Sequence, residues 1–152
     1  MTARSSNDPV GGPGMSRSIK TLGPGDSLSQ AYELMKEHDF HHVPVVDGEE
    51  LVGLISLGDI LLLSTAAEGK NLIIPNKRLD EVMAKNLITC TRNTAIGKVA
   101  DLMVHHRVNC LPVMNSRDKL VGIITSTDII KMLRTDSEEM LVDSFPSLLW
   151  CI

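Results

Sequence analysis

Two short polar patterns in this chain could bind a nucleoside phosphate. Each consists of a hydroxyl residue with an aspartate three positions later, Ser56 with Asp59 and Thr125 with Asp128, behind an apolar stretch that contains one glycine. A carboxylate only accepts hydrogen bonds, so it can take both hydroxyls of a ribose, while a nearby hydroxyl can donate to a phosphate. The start of a helix adds unpaired N–H groups and partial positive charge, which also favour a phosphate. The patterns therefore predict a nucleoside phosphate clamp.

The same residues also have a purely structural interpretation. Ser/Thr-x-x-Asp ahead of an apolar helix is a capping-box pattern, in which both side chains only satisfy backbone N–H groups. Two occurrences at matching positions indicate a shared ancestor, but they do not prove a ligand. Both interpretations stay open at the level of the sequence.

The two patterns belong to an internal repeat. At an offset of 68 residues Met15 aligns with Met83, and Pro44-Val45 aligns with Pro112-Val113. One extra residue in the loop 115–118 changes the offset to 69, which aligns the two aspartates and the glycines ahead of them. Self-similarity at one spacing predicts two copies of one supersecondary unit.

Each copy is predicted to fold as β-α-β-β-α. The helix follows from apolar residues at i, i+3 and i+4, and the strands follow from short apolar runs between turn residues. The predicted elements are strands 19–22 and 87–90, helices 28–38 and 96–106, strands around 43–46 and 111–114, strands 51–56 and 120–125, and helices from 57 and from 126.

One copy is too small to bury much surface alone. We therefore expect an α+β fold in which two repeats pack about a pseudo-two-fold axis. Because proline lacks a ladder donor, Pro44 and Pro112 are expected at a sheet edge or at a strand start. The predicted organisation is a flexible tail at 1–14, repeat 1 at 15–64, a connector at 65–79, repeat 2 at 80–134 and a C-terminal tail at 135–152.

Composition excludes several classes of function. A net charge of −4 argues against a nucleic-acid partner, which needs a basic surface. Apolar runs such as Ile60 to Leu63 are far short of a membrane helix, and residues 1–14 hold no secretory signal. The three cysteines, Cys90, Cys110 and Cys151, have no metal-type spacing, so reduced thiols in a cytoplasmic protein are expected.

The tandem motifs resemble a known family. Val-Pro-Val followed by Leu-Val-Gly-Leu-Ile-Ser-x-x-Asp, and Leu-Pro-Val followed by Leu-Val-Gly-Ile-Ile-Thr-x-x-Asp, resemble the cystathionine-β-synthase (CBS) domain over residues 15–134. Two such repeats form a Bateman module. The resemblance implies a regulatory module that binds AMP, ADP, ATP, S-adenosylmethionine or NAD, requires no cofactor, forms a homodimer and acts on a separate effector protein.

The resemblance further implies two clefts, each combining a base-binding face of one repeat with the hydroxyl–Asp pair of the other. The first cleft would contain Met15, Ser18, Lys20, Phe40, His41, His42, Thr125, Thr127 and Asp128. The second would contain Met83, Asn86, Ile88, Val108, Asn109, Cys110, Ser56 and Asp59. The imidazoles of His41 and His42 predict stronger phosphate binding in the Asp128 cleft, and a neutral lining is expected around Asp59.

Other functions find less support in the sequence. Adjacent histidines on a strand point to opposite faces, so His41 and His42 do not easily chelate one metal. No P-loop or nucleophile elbow is present, and the two aspartates belong to separate sites, so no enzyme is expected. The alternatives that stay open are a dimeric interaction module that binds no nucleotide and a metal- or redox-responsive module. Ligand-dependent stability and metal content would distinguish them.

Overall fold

The computed structural model describes residues 19–136, which contain both repeats. In the first repeat, helix α1 (Leu28–His38) is followed by strands β1 (His42–Asp47) and β2 (Glu50–Ser56) and by helix α2 (Leu57–Leu63). In the second, strand β5 (Cys90–Thr91) precedes helix α4 (Ile96–His106), strands β6 (Cys110–Met114) and β7 (Leu120–Thr125), and helix α5 (Ser126–Asp136). The predicted α+β repeat architecture is confirmed.

The segment between the repeats carries structure of its own. A short hairpin of β3 (Thr65–Ala66) and β4 (Leu72–Ile73) is followed by the one-turn helix α3 (Leu79–Val82). The sequence predicts only a connector over 65–79. The hairpin could not be predicted, because each of its strands has only two residues, which is too few for a periodic pattern.

Helices α1 and α4 span the residues whose apolar periodicity predicts them. The hydroxyl of Ser27 accepts from the N–H of Gln30, whose side chain accepts from the N–H of Ser27, and this capping box fixes the start of α1. Asp39 and Arg107 end α1 and α4 in the left-handed conformation. The apolar faces of the helices then cover the sheets, with Leu28, Ala31 and Val99 fully buried.

The first strand of each repeat is shorter than predicted. In the first repeat it reduces to a parallel bridge in which Leu22 donates to Pro44 and accepts from Val46. In the second repeat the strand occupies Cys90–Thr91 and pairs in parallel with the end of β6. Parallel pairing is non-local, so the local sequence does not set its extent.

The expectation for Pro112 is wrong. This proline is buried at the third position of β6, which lies between β5 and β7 in the three-stranded sheet. The central strand tolerates it because β5 begins only opposite Val113, one residue beyond the proline. Pro44 lies at the same position of β1 and is also buried.

The repeats are interleaved along the chain. The segment 77–84, which leads into the second repeat, packs on the first. Leu79 is fully buried in the first core, and its N–H donates to the carbonyl of Asp26 at 2.8 Å. Ala84 forms an antiparallel bridge with Leu54 of β2, with N–O distances of 2.9 and 3.0 Å. This bridge brings the start of the second repeat alongside the Ser56–Asp59 pattern.

Candidate ligand cavity between the repeats

The two hydroxyl–Asp pairs lie where the third strand of each repeat runs into a helix, as predicted. At Ser56 the backbone N–H donates to Oδ2 of Asp59 at 3.0 Å, and the N–H of Asp59 donates to Oγ of Ser56 at 3.0 Å. At Thr125 the backbone N–H and the hydroxyl both donate to Oδ2 of Asp128, at 2.9 and 3.1 Å. The capping interpretation is thus realised in both repeats.

Capping leaves part of each carboxylate available. The capping hydrogen bonds at both aspartates use Oδ2, so the cap itself does not engage Oδ1 of Asp59 or of Asp128. Asp59 is half-buried, whereas Asp128 is only 6% exposed. The capping role and the ribose-binding role are therefore compatible, and Asp59 is the more accessible carboxylate.

A cavity of about 260 Å³ opens beside Asp59 between the two repeats. From the first repeat it takes His42, Leu54, Ser56 and Asp59; the rest of its wall is Ala84, Asn86, Leu87, Ile88, Arg107, Val108, Asn109, Cys110 and Pro112. The structure thus brings together, in one wall, seven of the eight residues that the sequence assigns to the second cleft: Ser56, Asp59, Asn86, Ile88, Val108, Asn109 and Cys110.

The eighth residue, Met83, has a packing role. Its side chain lies over the backbone of Gly53 in β2 and packs against the first core. A Cβ built on Gly53 would come within 2.7 Å of Cγ and 2.9 Å of Cε of Met83. The strand glycine therefore does allow a close approach, as its position suggests. The group that approaches is a methionine of the same chain.

His42 lies in the wall of the Asp59 cavity, although the sequence assigns it to the cleft around Asp128. Its Nε2 is 3.0 Å from Oδ1 of Asn109, so this hydrogen bond joins the two repeats. Burial lowers the pKa of His42, His41 lowers it further, and Asn109 and Asp59 raise it in part. The net lowering favours the neutral imidazole, which donates to Asn109 through Nε2.

Cys110 shares the wall as a buried, protonated thiol. Burial is the largest cause that raises its pKa, to about 12, and the charges of Asp128 and Cys90 raise it further. Cys90 is also buried, and neither residue is in a disulfide. A thiol with such a pKa is a poor nucleophile at neutral pH. The buried thiol of Cys110 therefore disfavours a redox-responsive site in this wall.

The first predicted cleft is described only in part. Met15 and Ser18 lie outside the described residues. Phe40 packs against the first core and stacks on His38, with ring centroids 5.6 Å apart. His41 and Thr127 are exposed, and Lys20 is half-exposed. Thr125 donates hydrogen bonds to Asp128. That the residues of the first predicted cleft form one site stays a prediction.

Arg107 is the charged residue among the five cavity residues that the sequence did not assign to either cleft; the others are Leu54, Ala84, Leu87 and Pro112. It directly follows α4, where the helical pattern ends, and an arginine at a helix end is normally explained by the helix dipole. A usable signal was present, because a residue just after a helix often takes the left-handed conformation, which favours glycine or asparagine. An arginine at such a position is therefore a signal of a functional role.

Within 19–136 no three His, Cys, Asp or Glu side chains converge in a way that could hold a metal ion. No helix in the same range is long and apolar enough to span a bilayer.

The architecture and the cavity define a pair of CBS domains. The CBS domain family model matches residues 10–65 and again residues 79–135. The chain therefore belongs to the CBS domain family, and it carries two copies of the domain in tandem.

Individual relatives show the same module in several settings. The CBS domain-containing protein YhcV of Bacillus subtilis is 30% identical over 115 residues, which cover 76% of this chain and 79% of that protein. Homoserine O-acetyltransferase of Methanosphaera stadtmanae is 33% identical over 116 residues, but this chain spans only 22% of it. Several other relatives are also more than twice as long as the matched segment.

Solved structures share the fold. One is the CBS domain pair of protein MJ0100 in complex with 5′-methylthioadenosine and S-adenosyl-L-methionine, with a TM-score of 0.69 and 28% identity. The match covers 80% of this chain and 93% of that one.

Proposed function

We propose that this protein is a regulatory module that binds an adenosyl ligand, such as AMP, ADP or ATP, and acts in trans on a separate effector protein. The observation that carries the proposal is the cavity beside Asp59. It joins a hydroxyl–carboxylate pair of one repeat to amides and apolar side chains of the other. The adenosyl ligands of the MJ0100 domain pair support the same ligand class.

The chemistry of the wall fits such a ligand. Oδ1 of Asp59 can accept from a ribose hydroxyl while Oδ2 continues to cap α2. Ile88, Val108 and Leu54 supply apolar surface for a base, and the side chains of Asn86 and Asn109 can donate and accept at its edge.

Regulation follows from the position of the cavity. A ligand that contacts Asp59 and Asn109 at once touches both repeats, which are otherwise joined there by the His42–Asn109 hydrogen bond. If it binds one relative arrangement of the repeats more tightly, it shifts the population towards that arrangement by linkage. An effector that recognises this arrangement would then respond to the ligand concentration. Because Cys90 and Cys110 are buried cysteines outside any disulfide bond, we place the protein in a reducing compartment such as the cytoplasm.

The test is ligand-dependent thermal unfolding with AMP, ADP, ATP, S-adenosylmethionine and NAD. A ligand at 100 times its Kd adds about 2.7 kcal/mol, which raises Tm by several degrees. Asp59→Asn keeps an oxygen for the N–H of Ser56 but removes the charge, so it should reduce the shift while α2 stays capped. Asp101→Asn, an exposed acid on α4, should leave the shift unchanged.

A second candidate function is a homodimeric interaction module that binds no nucleotide. Large apolar side chains on α2 and α5 favour an interaction surface, since Leu62 is 88% exposed, Ile130 64% and Leu133 55%. Dimerisation would cover them and is compatible with either function. The absence of any Tm shift at millimolar ligand would favour this candidate over the sensor. A dimer that dissociates in Leu62→Glu would locate the interface.

A further inference from the structure

The outer side of α5 carries two large apolar side chains that the fold leaves uncovered. Ile130 is 64% exposed and Leu133 is 55% exposed. Residues three positions apart on a helix are neighbours, so these two side chains form one patch, the α5 apolar face. Ile129, one position earlier, packs against the second core. Helix α5 therefore buries a different side against its own repeat, and the α5 apolar face is not needed for that packing.

The first repeat shows that the repeated unit does not require this face. At the offset of 69 residues Leu133 aligns with Ser64, which ends α2 and donates from its hydroxyl to the carbonyl of Ile60 at 2.7 Å. Helix α2 has 7 residues, whereas α5 has 11 and continues through Asp136. The added turn and its leucine belong to the second repeat alone, and they lead directly into residues 137–152.

The C-terminal segment, residues 137–152, is itself rich in large apolar residues and lies outside the described residues. Nine of its 16 residues are hydrophobic, and Phe145 and Trp150 are two of the four aromatic residues of the chain. Phe145, Leu148, Leu149 and Trp150 stand within six positions. Large aliphatic and aromatic side chains gain most from leaving water. Burial is therefore favourable both for this segment and for the α5 apolar face.

The length of the chain lets the C-terminal segment return to α5. Nine residue steps separate Asp136 from Phe145, and they span up to about 30 Å when extended. Helix α5, with 11 residues, is only about 16 Å long. So short a tether gives the segment an effective concentration on the order of millimolar at the face, which a second copy at micromolar concentration does not reach. The segment of the same chain is thus favoured over a second copy.

We infer that residues 145–150 dock on the α5 apolar face of their own chain and pack their apolar side chains on Ile130 and Leu133. Docked there, the segment keeps other proteins from contacting this side of α5. The inference does not involve the cavity between the repeats, so it is independent of the proposed function. Leu62 on α2 stays outside it and is available to the dimer considered above.

The test uses Trp150, the only tryptophan of the chain, because its fluorescence reports on this segment alone. The emission maximum and the quenching by acrylamide are measured for the full chain over a wide range of protein concentration. The variant is Leu133→Glu and the matched control is Leu62→Glu. Both leucines are exposed helical residues, and glutamate keeps a similar helix propensity.

In wild type, Trp150 should emit at a shorter wavelength than in urea, and this shift should be the same at every protein concentration. Leu133→Glu should move the emission towards the value in urea and raise the quenching constant several-fold, because a carboxylate then occupies the apolar face. Leu62→Glu should behave as wild type. Circular dichroism should show the same helix content in all three proteins.

A disulfide trap gives a second measurement that does not depend on an added charge. In Leu133→Cys the new thiol should form a disulfide with Cys151 of the same chain when both are oxidised by diamide, as read by mass spectrometry. Cys90 and Cys110 are buried and should stay unlinked. Leu62→Cys should form no such link within the chain.

Wild-type emission equal to that in urea would overturn the inference, as would emission that neither variant changes. A shift that disappears on dilution, or that responds to Leu62→Glu in place of Leu133→Glu, would also overturn it, because the segment would then pack on a second copy. A disulfide from Leu133→Cys that joins two chains would have the same meaning.

Discussion

Replacing Gly53 by alanine tests whether β2 and the start of the second repeat are packed as the structure shows. The new Cβ would lie 2.7 Å from Cγ and 2.9 Å from Cε of Met83. Carbon atoms prefer separations of about 3.5–4.0 Å, so the side chain has to retreat by roughly 1 Å at Cγ and Cε and by more at Sδ, which is the nearest atom. A swing of its methyl end cannot relieve this, because Cγ is also too close.

The magnitude follows from two opposing effects. Overpacking of this kind costs about 1–3 kcal/mol. Alanine in place of glycine returns about 0.4–1 kcal/mol by restricting the unfolded chain. We expect Gly53→Ala to lower the free energy of unfolding by about 1–2 kcal/mol, with the unfolding midpoint in urea read by circular dichroism.

A double-mutant cycle assigns the loss to the methionine. Met83→Ala alone removes half-buried side-chain contacts. In the double variant the new Cβ at position 53 has no clash, so the combined loss should fall short of the sum by about 1 kcal/mol or more. Gly97→Ala is the matched control. A Cβ there meets nothing within 4 Å, so this helical substitution should stabilise the protein by about 0.5–1 kcal/mol. Additive losses, within about 0.5 kcal/mol, would refute the packing of Met83 over Gly53.

Three further predictions concern the cavity wall. Because the pKa of His42 is lowered in the folded protein, its neutral imidazole stabilises the fold above the unfolded pKa near 6.5, and this stability is lost as pH falls from there towards the folded pKa. His42→Asn should therefore flatten the fall in the free energy of unfolding between about pH 7.5 and 5.5. An equally steep fall in the variant would contradict this. The pKa of about 12 keeps Cys110 protonated, so iodoacetamide at about pH 8 should leave its peptide unmodified in native protein and modify it in urea, as read by mass spectrometry. Ser56→Ala removes the acceptor for the N–H of Asp59 and should cost about 1 kcal/mol in chemical denaturation, whereas an unchanged midpoint would refute the cap.

Elements set by local signals were predictable from the sequence. The bounds of α1, α4 and β7 match their predictions because helical periodicity, end signals and turn residues all act within a few positions. The candidate cavity was predictable to the extent that the repeat and its resemblance place Ser56 and Asp59 opposite Asn109.

What could not be predicted depends on pairing between distant residues. The first strand of each repeat shrinks because its parallel partner determines how far it extends. The place of His42 in the Asp59 cavity was not predictable, because its hydrogen bond to Asn109 depends on how the repeats meet. The place of Arg107 in the cavity wall was not predictable, because the sequence shows only that this residue follows a helix.

The attachment of residues 77–84 to the first repeat limits how this architecture can be divided. A chain cut within 67–76 would leave Leu79, a fully buried core side chain of the first repeat, on the second fragment. The second fragment would expose that leucine and lose the partner of Ala84 in β2. The first fragment would then lack a complete core, although a mixture of the two could rebuild it. A piece that carries the first core intact must therefore extend through residue 84, beyond the end of the first unit of duplication.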